Sequence, residues 1–366
     1  MRIGLVIYGD LYQQTGGYLY DRKEVEYLQA QGDQVEIFSL PWRSYIRHLT
    51  DNLSPDVYRT LGRQKLDILI EDELNHPSLA IVNHILSRRT SFPIISIVHH
   101  LRCNEANGSL IKWFYQIIER IFLSTLAGLI CNSQATLRSV QALTMKEKLP
   151  AVIAYPGKDH LAGDINEIEI ERRARQSADL HLLFLGNLIP RKGLHWLLAA
   201  LSQLRDVPLR LDIVGDESRQ PAYGQRLRRW VTQNALTERV QFWGAVDENT
   251  LQQLLRRAHI LVLTSSYEGF GIAYLDGMRY GLVVIGSSQG GASELISEGV
   301  EGFLIEPGDV SVLRNHLLAL HKDRARLAQM GMAARKRFDE HPTWAESAAK
   351  IRNFLVRLVQ EGRDLG

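Results

Sequence analysis

Three stretches of the 366-residue chain have residue types and spacings suited to holding an anion. The first is GDLYQQTGGYLYDRKEVEYL, where Gly16 and Gly17 stand at a strand-to-helix passage. Exposed amides and the helix dipole favour negative charge at such a place. No Lys-Ser or Lys-Thr follows, so this is no Walker loop, and the dinucleotide fingerprint is incomplete. The second, FLGNLIPRKGLHWLL, ends a strand at Gly186 and then carries Asn187, Arg191 and Lys192 before Gly193 opens a helix. Two adjacent cations at a strand's carboxyl end suit phosphate oxygens, Lys as a point charge and Arg as a fork. The third is the most specific: LTSSYEGFGIAYLDGMRYGLVVIGS. Glu268 precedes Gly269, Phe270 and Gly271, and a helix is expected to carry Asp276 eight residues on. The glycines admit a ligand to the backbone amides. Eight helical residues rise about 12 Å, which would set the two carboxylates at opposite ends of a nucleotide diphosphate sugar. Each stretch also has a plainer reading, respectively a tight turn, a solvated loop, and a capping Glu with a solvated Asp.

The elements that must position these residues alternate along the chain. RIGLVIY, QVEIFSL, LDILIED, PIISIVHH, AGLICNS and AVIAYPG read as strands. Helical periodicity lies between them, and Gly32 suits a helix C-terminal cap. The pattern then restarts with HLLFLGN, LRLDIVGD, RVQFWGAV, HILVLTSS, LVVIGSS and EGFLIEPG. Strands apolar nearly throughout are those of a parallel sheet covered on both faces. The fold class is therefore α/β, with two Rossmann-like, doubly wound parallel-sheet domains. The polar stretch from Asp159 to Asp179 is the expected junction, between domains at 1–160 and 176–342. After Pro342 one long helix, 343–366, closes the chain. Two such domains facing a central cleft would bring both switch points to one ligand.

Composition sets bounds. Lys plus Arg number 43 against 41 Asp plus Glu, a formal charge of +2. Up to residue 160 there are 17 basic and 16 acidic residues, and 26 and 25 after it. That even balance argues against a nucleic-acid partner. Cys103 and Cys131 are too few for a disulfide framework or a four-ligand zinc site, and read as small buried side chains. The start lacks the apolar length of a signal peptide, and charges interrupt the most apolar window, Leu110 to Ile130. The expectation is a cytoplasmic protein, or one resting on a membrane from the side.

In order and spacing, QTGGYLYD, LGNLIPRKG and YEGFGIAYLDGM resemble the family 4 retaining glycosyltransferases of GT-B fold. CNSQAT, YPGKD and SELISEGVEGFLIEPGD extend the likeness over nearly the whole chain. The resemblance implies a nucleotide diphosphate sugar as donor and no cofactor. It implies that Lys192 binds the diphosphate, with Gly16 and Gly17 approaching from the other domain. Glu268 would contact the transferred sugar, aided by the amides of Gly269, Phe270 and Gly271. Asp276 would accept from the ribose, Val246 would lie by the base, and His99 beside the sugar. It also implies that the closing helix crosses back to the first domain.

Two positions depart from the family. Asn187 stands where the family has a phosphate-binding Arg, and Arg191 is the candidate replacement. Asp276 replaces a Glu and shortens that arm by one methylene. No Asp-x-Asp motif occurs, which argues against a metal-clamped donor. A nucleotide-sugar epimerase and an inactive nucleotide-sugar binding protein are the competing readings. The acceptor is open: a sugar, a glycolipid or a small molecule. SLIKWFYQIIERIFL, with Trp113, Phe114, Ile117, Ile118 and Ile121, reads either as a membrane-resting face or as the buried helix usual in α/β domains. The even charge of the first domain lends the membrane reading no electrostatic support.

Overall fold

The computed structural model describes residues 1–105, 108–145 and 149–364. The chain divides into two units, residues 1–157 with 342–366, and residues 158–341.

The first unit holds β1 (Arg2–Tyr8), β2 (Gln34–Leu40), β3 (Ile68–Asp72), β4 (Ile94–Val98), β5 (Gly128–Cys131) and β6 (Ala151–Ile153). Its parallel sheet runs β2-β1-β3-β4-β5-β6. Every residue of β3, β4 and β5 is buried, which is why these strands are mostly apolar, with buried Glu71 and Asp72 at the carboxyl end of β3 and Ser96 within β4. β2 differs: at the sheet edge only its Phe38 is buried, with Val35 and Leu40 half-buried, so the two-sided burial expected of it does not hold. Cys103 and Cys131 are free and buried. The helix Trp344–Asp364 packs on the helix Gly16–Ala30 and on β6. Gly128 leaves the space that Phe354 and Leu358 fill, and Arg352 pairs with Asp33 at 2.7 Å.

The second unit holds β7 (Leu180–Leu185), β8 (Leu209–Val214), β9 (Val240–Gly244), β10 (Ile260–Val262), β11 (Val283–Ser287) and β12 (Gly302–Ile305). Its order is β12-β11-β10-β7-β8-β9, again all parallel. The polar stretch expected as a junction lies inside this unit. About half of it forms the helix Glu167–Gln176, started by an Asn166–Glu169 capping box and anchored by buried Ile170 and Ala174. Its polarity is that of a helix with one narrow buried stripe.

The helix Ser109–Leu123 departs from the buried reading. Only Glu119, Phe122 and Leu123 are buried, while Leu110, Ile111, Trp113, Phe114 and Ile121 are exposed. Among the described residues no helix is long and apolar enough to cross a membrane.

Candidate active site

In each sheet the winding direction reverses at one place, between β1 and β3 in the first unit and between β7 and β10 in the second. Loops leaving the carboxyl ends of strands at such a point form a ligand crevice. The residues singled out from the sequence stand in these loops or just beyond them.

In the second unit the loop after β7 ends in a 3-10 turn, Pro190–Lys192, closed by Gly193 at φ +69°. A Cβ on Gly193 would stand 2.0 Å from the carbonyl oxygen of Thr264, so the loop after β10 presses directly on it. Thr264 Oγ1 donates to the Gly193 carbonyl at 2.8 Å, and the Ser266 N–H donates to the Arg191 carbonyl at 2.7 Å. This stitching carries Arg191 and Lys192 to Glu268. Lys192 Nζ donates to Glu268 Oε1, Ser265 Oγ donates to the same oxygen at 2.7 Å, and Arg191 Nη1 lies 3.8 Å away. Arg191 also donates to the Tyr267 carbonyl at 2.9 Å. Behind Glu268, Gly290 sits at φ +100° with no room for a Cβ, which would meet the Glu268 carbonyl oxygen at 1.8 Å. The Gly291 N–H donates to that oxygen at 2.8 Å.

Glu268 is buried. Burial alone would push its pKa up, but the charges of Lys192 and Arg191, with hydrogen bonds from Lys192 and Ser265, hold it down to about 2. It is therefore ionised at neutral pH and can only accept hydrogen bonds. Phe270 is buried, its ring 5.6 Å from that of His341. Gly269 and Gly271 flank it, and Gly271 leads into the helix Ile272–Arg279 in a left-handed conformation. Because that helix starts only at Ile272, Glu268 lies outside it and the 12 Å helical spacing expected between the carboxylates does not apply. Asp276 is buried and engages His160 Nε2 at 2.9 Å. Burial opposes a charged His160, yet the Asp276 charge and hydrogen bond raise its pKa. Asn187 is half-buried just after β7, and Val246 is half-buried between β9 and the helix Glu248–Arg257.

In the first unit the Thr15 side chain caps the helix that begins with Gly16 and Gly17. A Cβ on Gly17 would lie 3.2 Å from the His99 ring, so this glycine lets the imidazole rest on the helix start. His99 follows β4. Its Nε2 engages Asp21 Oδ1 at 3.2 Å, its N–H donates to Glu73 Oε2 at 3.0 Å, and its ring meets Tyr20 edge-on at 5.2 Å. Burial disfavours its charged form, but the Asp21 charge and hydrogen bond, with the Glu73 charge, raise its pKa. Buried Asp72 has its pKa driven well up, by burial first and then by the charges of Glu73 and Asp21. Asp21, Asp72 and His99 place one ligand atom each within 4.8 Å of one another, the set among the described residues that could hold a metal ion. His100 turns to Glu105 at 2.7 Å.

Several neighbours of the predicted residues were not singled out from the sequence. Ser265 stands three positions before Glu268, and Gly290 and Gly291 form a glycine pair after a strand, so both left a local signal. Asp21 lies one helical turn beyond Gly17. His160 left none, sitting in a polar stretch far from Asp276.

Residues 166–337 match the family model of the Glycosyl transferases group 1. Glycogen synthase of Mycobacterium tuberculosis is 26% identical over 280 residues, covering 74% of this chain and 63% of that one. A GDP-mannose-dependent monoacylated alpha-(1-6)-phosphatidylinositol monomannoside mannosyltransferase of Corynebacterium glutamicum is 30% identical over 179 residues, 46% of this chain and 45% of that one. The chain thus matches less than two thirds of the length of these curated relatives. Among solved structures, sucrose-phosphate synthase from Thermosynechococcus elongatus is similar with a TM-score of 0.80 at 19% identity, over 98% of this chain and 99% of that one. Anabaena HepE in complex with UDP-glucose is similar with a TM-score of 0.74 at 21% identity, over 98% and 100%. The fold is that of the GT-B glycosyltransferases. The match to the glycosyl transferases group 1 model lies within the second unit.

Proposed function

We propose that the chain is a retaining glycosyltransferase, of the family 4 kind, moving a hexose-type sugar from a nucleotide diphosphate sugar to an acceptor hydroxyl. The observation that carries this reading is the convergence of Lys192, Arg191 and an ionised, buried Glu268 at the switch point of the second sheet. HepE, a structural neighbour, is recorded in complex with UDP-glucose, which supports a nucleotide sugar as donor.

In this reading the Lys192 ammonium, with three donors, keeps one on Glu268 and turns the others to the diphosphate. Arg191 adds the charge that Asn187 lacks. As the bond from the anomeric carbon to the phosphate oxygen breaks, its electron pair stays on the diphosphate, and these cations stabilise the growing charge. The acceptor oxygen bonds to the anomeric carbon on the same face, and its proton passes to the departing phosphate oxygen. Glu268 accepts from hydroxyls of the sugar, and Asp276 from the ribose. Gly16 and Gly17 present helix amides to the diphosphate, and His99 lies by the sugar. The chemistry needs no metal in this scheme, so the Asp21, Asp72 and His99 set serves to orient His99.

Thermal shift against UDP- and GDP-sugars, followed by transfer assays with the hits, tests the proposal. A stabilising donor, product of unchanged anomeric configuration by NMR, and turnover insensitive to EDTA are expected. Conversion of the nucleotide sugar without any acceptor would make the chain an epimerase. Stabilisation with no product from any acceptor would make it a binding protein, and loss of turnover in EDTA would overturn the metal-free scheme.

A further inference from the structure

The exposed half of the helix Ser109–Leu123 is unusual for a surface. Leu110 is 83% exposed, Ile111 52% and Trp113 61%, and within Ser109–Phe114 only Ser109 and Lys112 are polar. Beside it lies the short helix Tyr45–Leu49: the Tyr45 ring is 4.6 Å from that of Tyr115 and 6.1 Å from that of Phe114. The residues that follow Tyr45 extend the apolar surface, with Ile46 at 70% and Leu53 at 81% exposure. A buried turn, His76–Leu79, packs against both helices and fixes them side by side. Asn52 ties in a further exposed residue, its Oδ1 accepting from the Ile81 N–H at 2.8 Å.

The charges around this patch are sorted by sign. Segments 43–53 and 100–123 carry Arg43, Arg47, Arg102, Lys112 and Arg120, all at the surface. Their carboxylates are Asp51, Glu105 and Glu119. Asp51 is buried and paired with Arg43 at 2.5 Å. Glu105 is held by His100 and, at 3.4 Å, by Arg102. Glu119 is buried and accepts from the Arg102 and Cys103 amides. Exposed aliphatic and aromatic side chains beside the exposed Arg47 and Lys112, with the carboxylates of these two segments buried or paired, complement an anionic bilayer. The apolar groups enter the acyl boundary and the cations meet lipid phosphates.

We propose that this face of the first unit, formed by the helices Ser109–Leu123 and Tyr45–Leu49, docks on the surface of anionic membranes. The even charge of the domain as a whole conceals the patch, because salt screens charges lying more than a Debye length, about 8 Å, from the bilayer. Docking goes beyond the transfer reading and does not depend on donor chemistry.

Flotation of the full chain with phosphatidylglycerol-containing or pure phosphatidylcholine vesicles tests it. Wild type is expected to float with the anionic vesicles, less so in high salt. Ile111→Glu with Trp113→Glu should weaken this by roughly tenfold or more, and Arg47→Glu with Lys112→Glu several-fold. These side chains are exposed, so the variants should keep the wild-type melting curve and donor response. Ile168→Glu, on an exposed position of the second unit, should float like wild type. The proposal is overturned if wild type stays unbound at low salt, or if the Ile111 and Trp113 changes leave flotation intact. It is equally overturned if those changes only dissociate a dimer, which would make the patch a contact between copies of the chain.

Discussion

Glu268 shows how much of the candidate site is decided by single contacts. A carboxylate this buried keeps its charge only because Lys192, Arg191 and Ser265 surround it. Lys192→Ala removes the shortest of these contacts and leaves the charge facing Arg191 at 3.8 Å. In kinetics with the donor identified by thermal shift, turnover should fall by about 100-fold, with a smaller loss for Arg191→Ala if that residue takes over from Asn187. Acid should undo the same cluster. The folded pKa of Glu268 lies below its ordinary value, so its stabilisation is full above the mid-fours and is lost as pH falls towards about 2. His160 has the opposite sign. With its folded pKa raised by Asp276, the pair stabilises fully below the ordinary value of about 6.5 and fades as pH climbs through the raised one. The melting temperature of wild type should therefore exceed that of His160→Gln in mildly acidic buffer, with the gap closing in alkaline buffer. Equal gaps across the range would deny the pairing its charge. The type and order of Arg191, Lys192 and Glu268 were legible because each sits in a short, strange string. The His160–Asp276 and Asp21–His99 pairs were not, because contacts this far apart in sequence leave no local pattern.

At the scale of elements, chemistry depends on loops that touch without side chains between them. The turn that presents Arg191 and Lys192 is locked by Gly193 against the Thr264 carbonyl, and Glu268 is backed by Gly290 in the same manner. Gly193→Ala adds both a steric overlap and a left-handed strain of order 1–2 kcal/mol. The turn must move to relieve them. Denaturant melts should show a loss of at least about 2 kcal/mol, and donor affinity should fall even at temperatures where the protein stays folded. A variant with wild-type stability and affinity would mean that the two loops are not pressed together. The strands themselves were readable, since central parallel strands are buried on both faces and hence continuously apolar. Edge position was less so: β2 is exposed or half-buried at every residue but Phe38, and its place at the edge is set by topology rather than by its own residues. The helix Ser109–Leu123 left two readings open, because an apolar sequence does not reveal whether anything covers it.

For the whole molecule the informative feature is that the first unit is not continuous in sequence. Its core is closed by the helix Trp344–Asp364, reached only after the entire second unit has been traversed. That helix buries Trp344, Ile351, Phe354, Leu355, Leu358 and Val359. At about 1.5–3 kcal/mol for each large apolar side chain buried, this amounts to roughly 10 kcal/mol or more, as large as the whole stability of a typical domain of about 5–15 kcal/mol. That helix packs on the helix Gly16–Ala30 and on β6, and the second unit has a six-stranded sheet of its own. Ending the chain at His341 should therefore unfold the first unit while sparing the second. Calorimetry of the shortened protein should show one remaining transition, and thermal shift should still register the nucleotide part of the donor. Substituting Phe354→Ala and Leu358→Ala in the full chain should lower the same transition selectively, each by about 2–5 kcal/mol. If the shortened chain instead kept both transitions, the closing helix would be an appendage rather than part of the first core. If it lost both, the second unit would depend on the first for its stability, and nucleotide binding could not be assigned to the second unit alone.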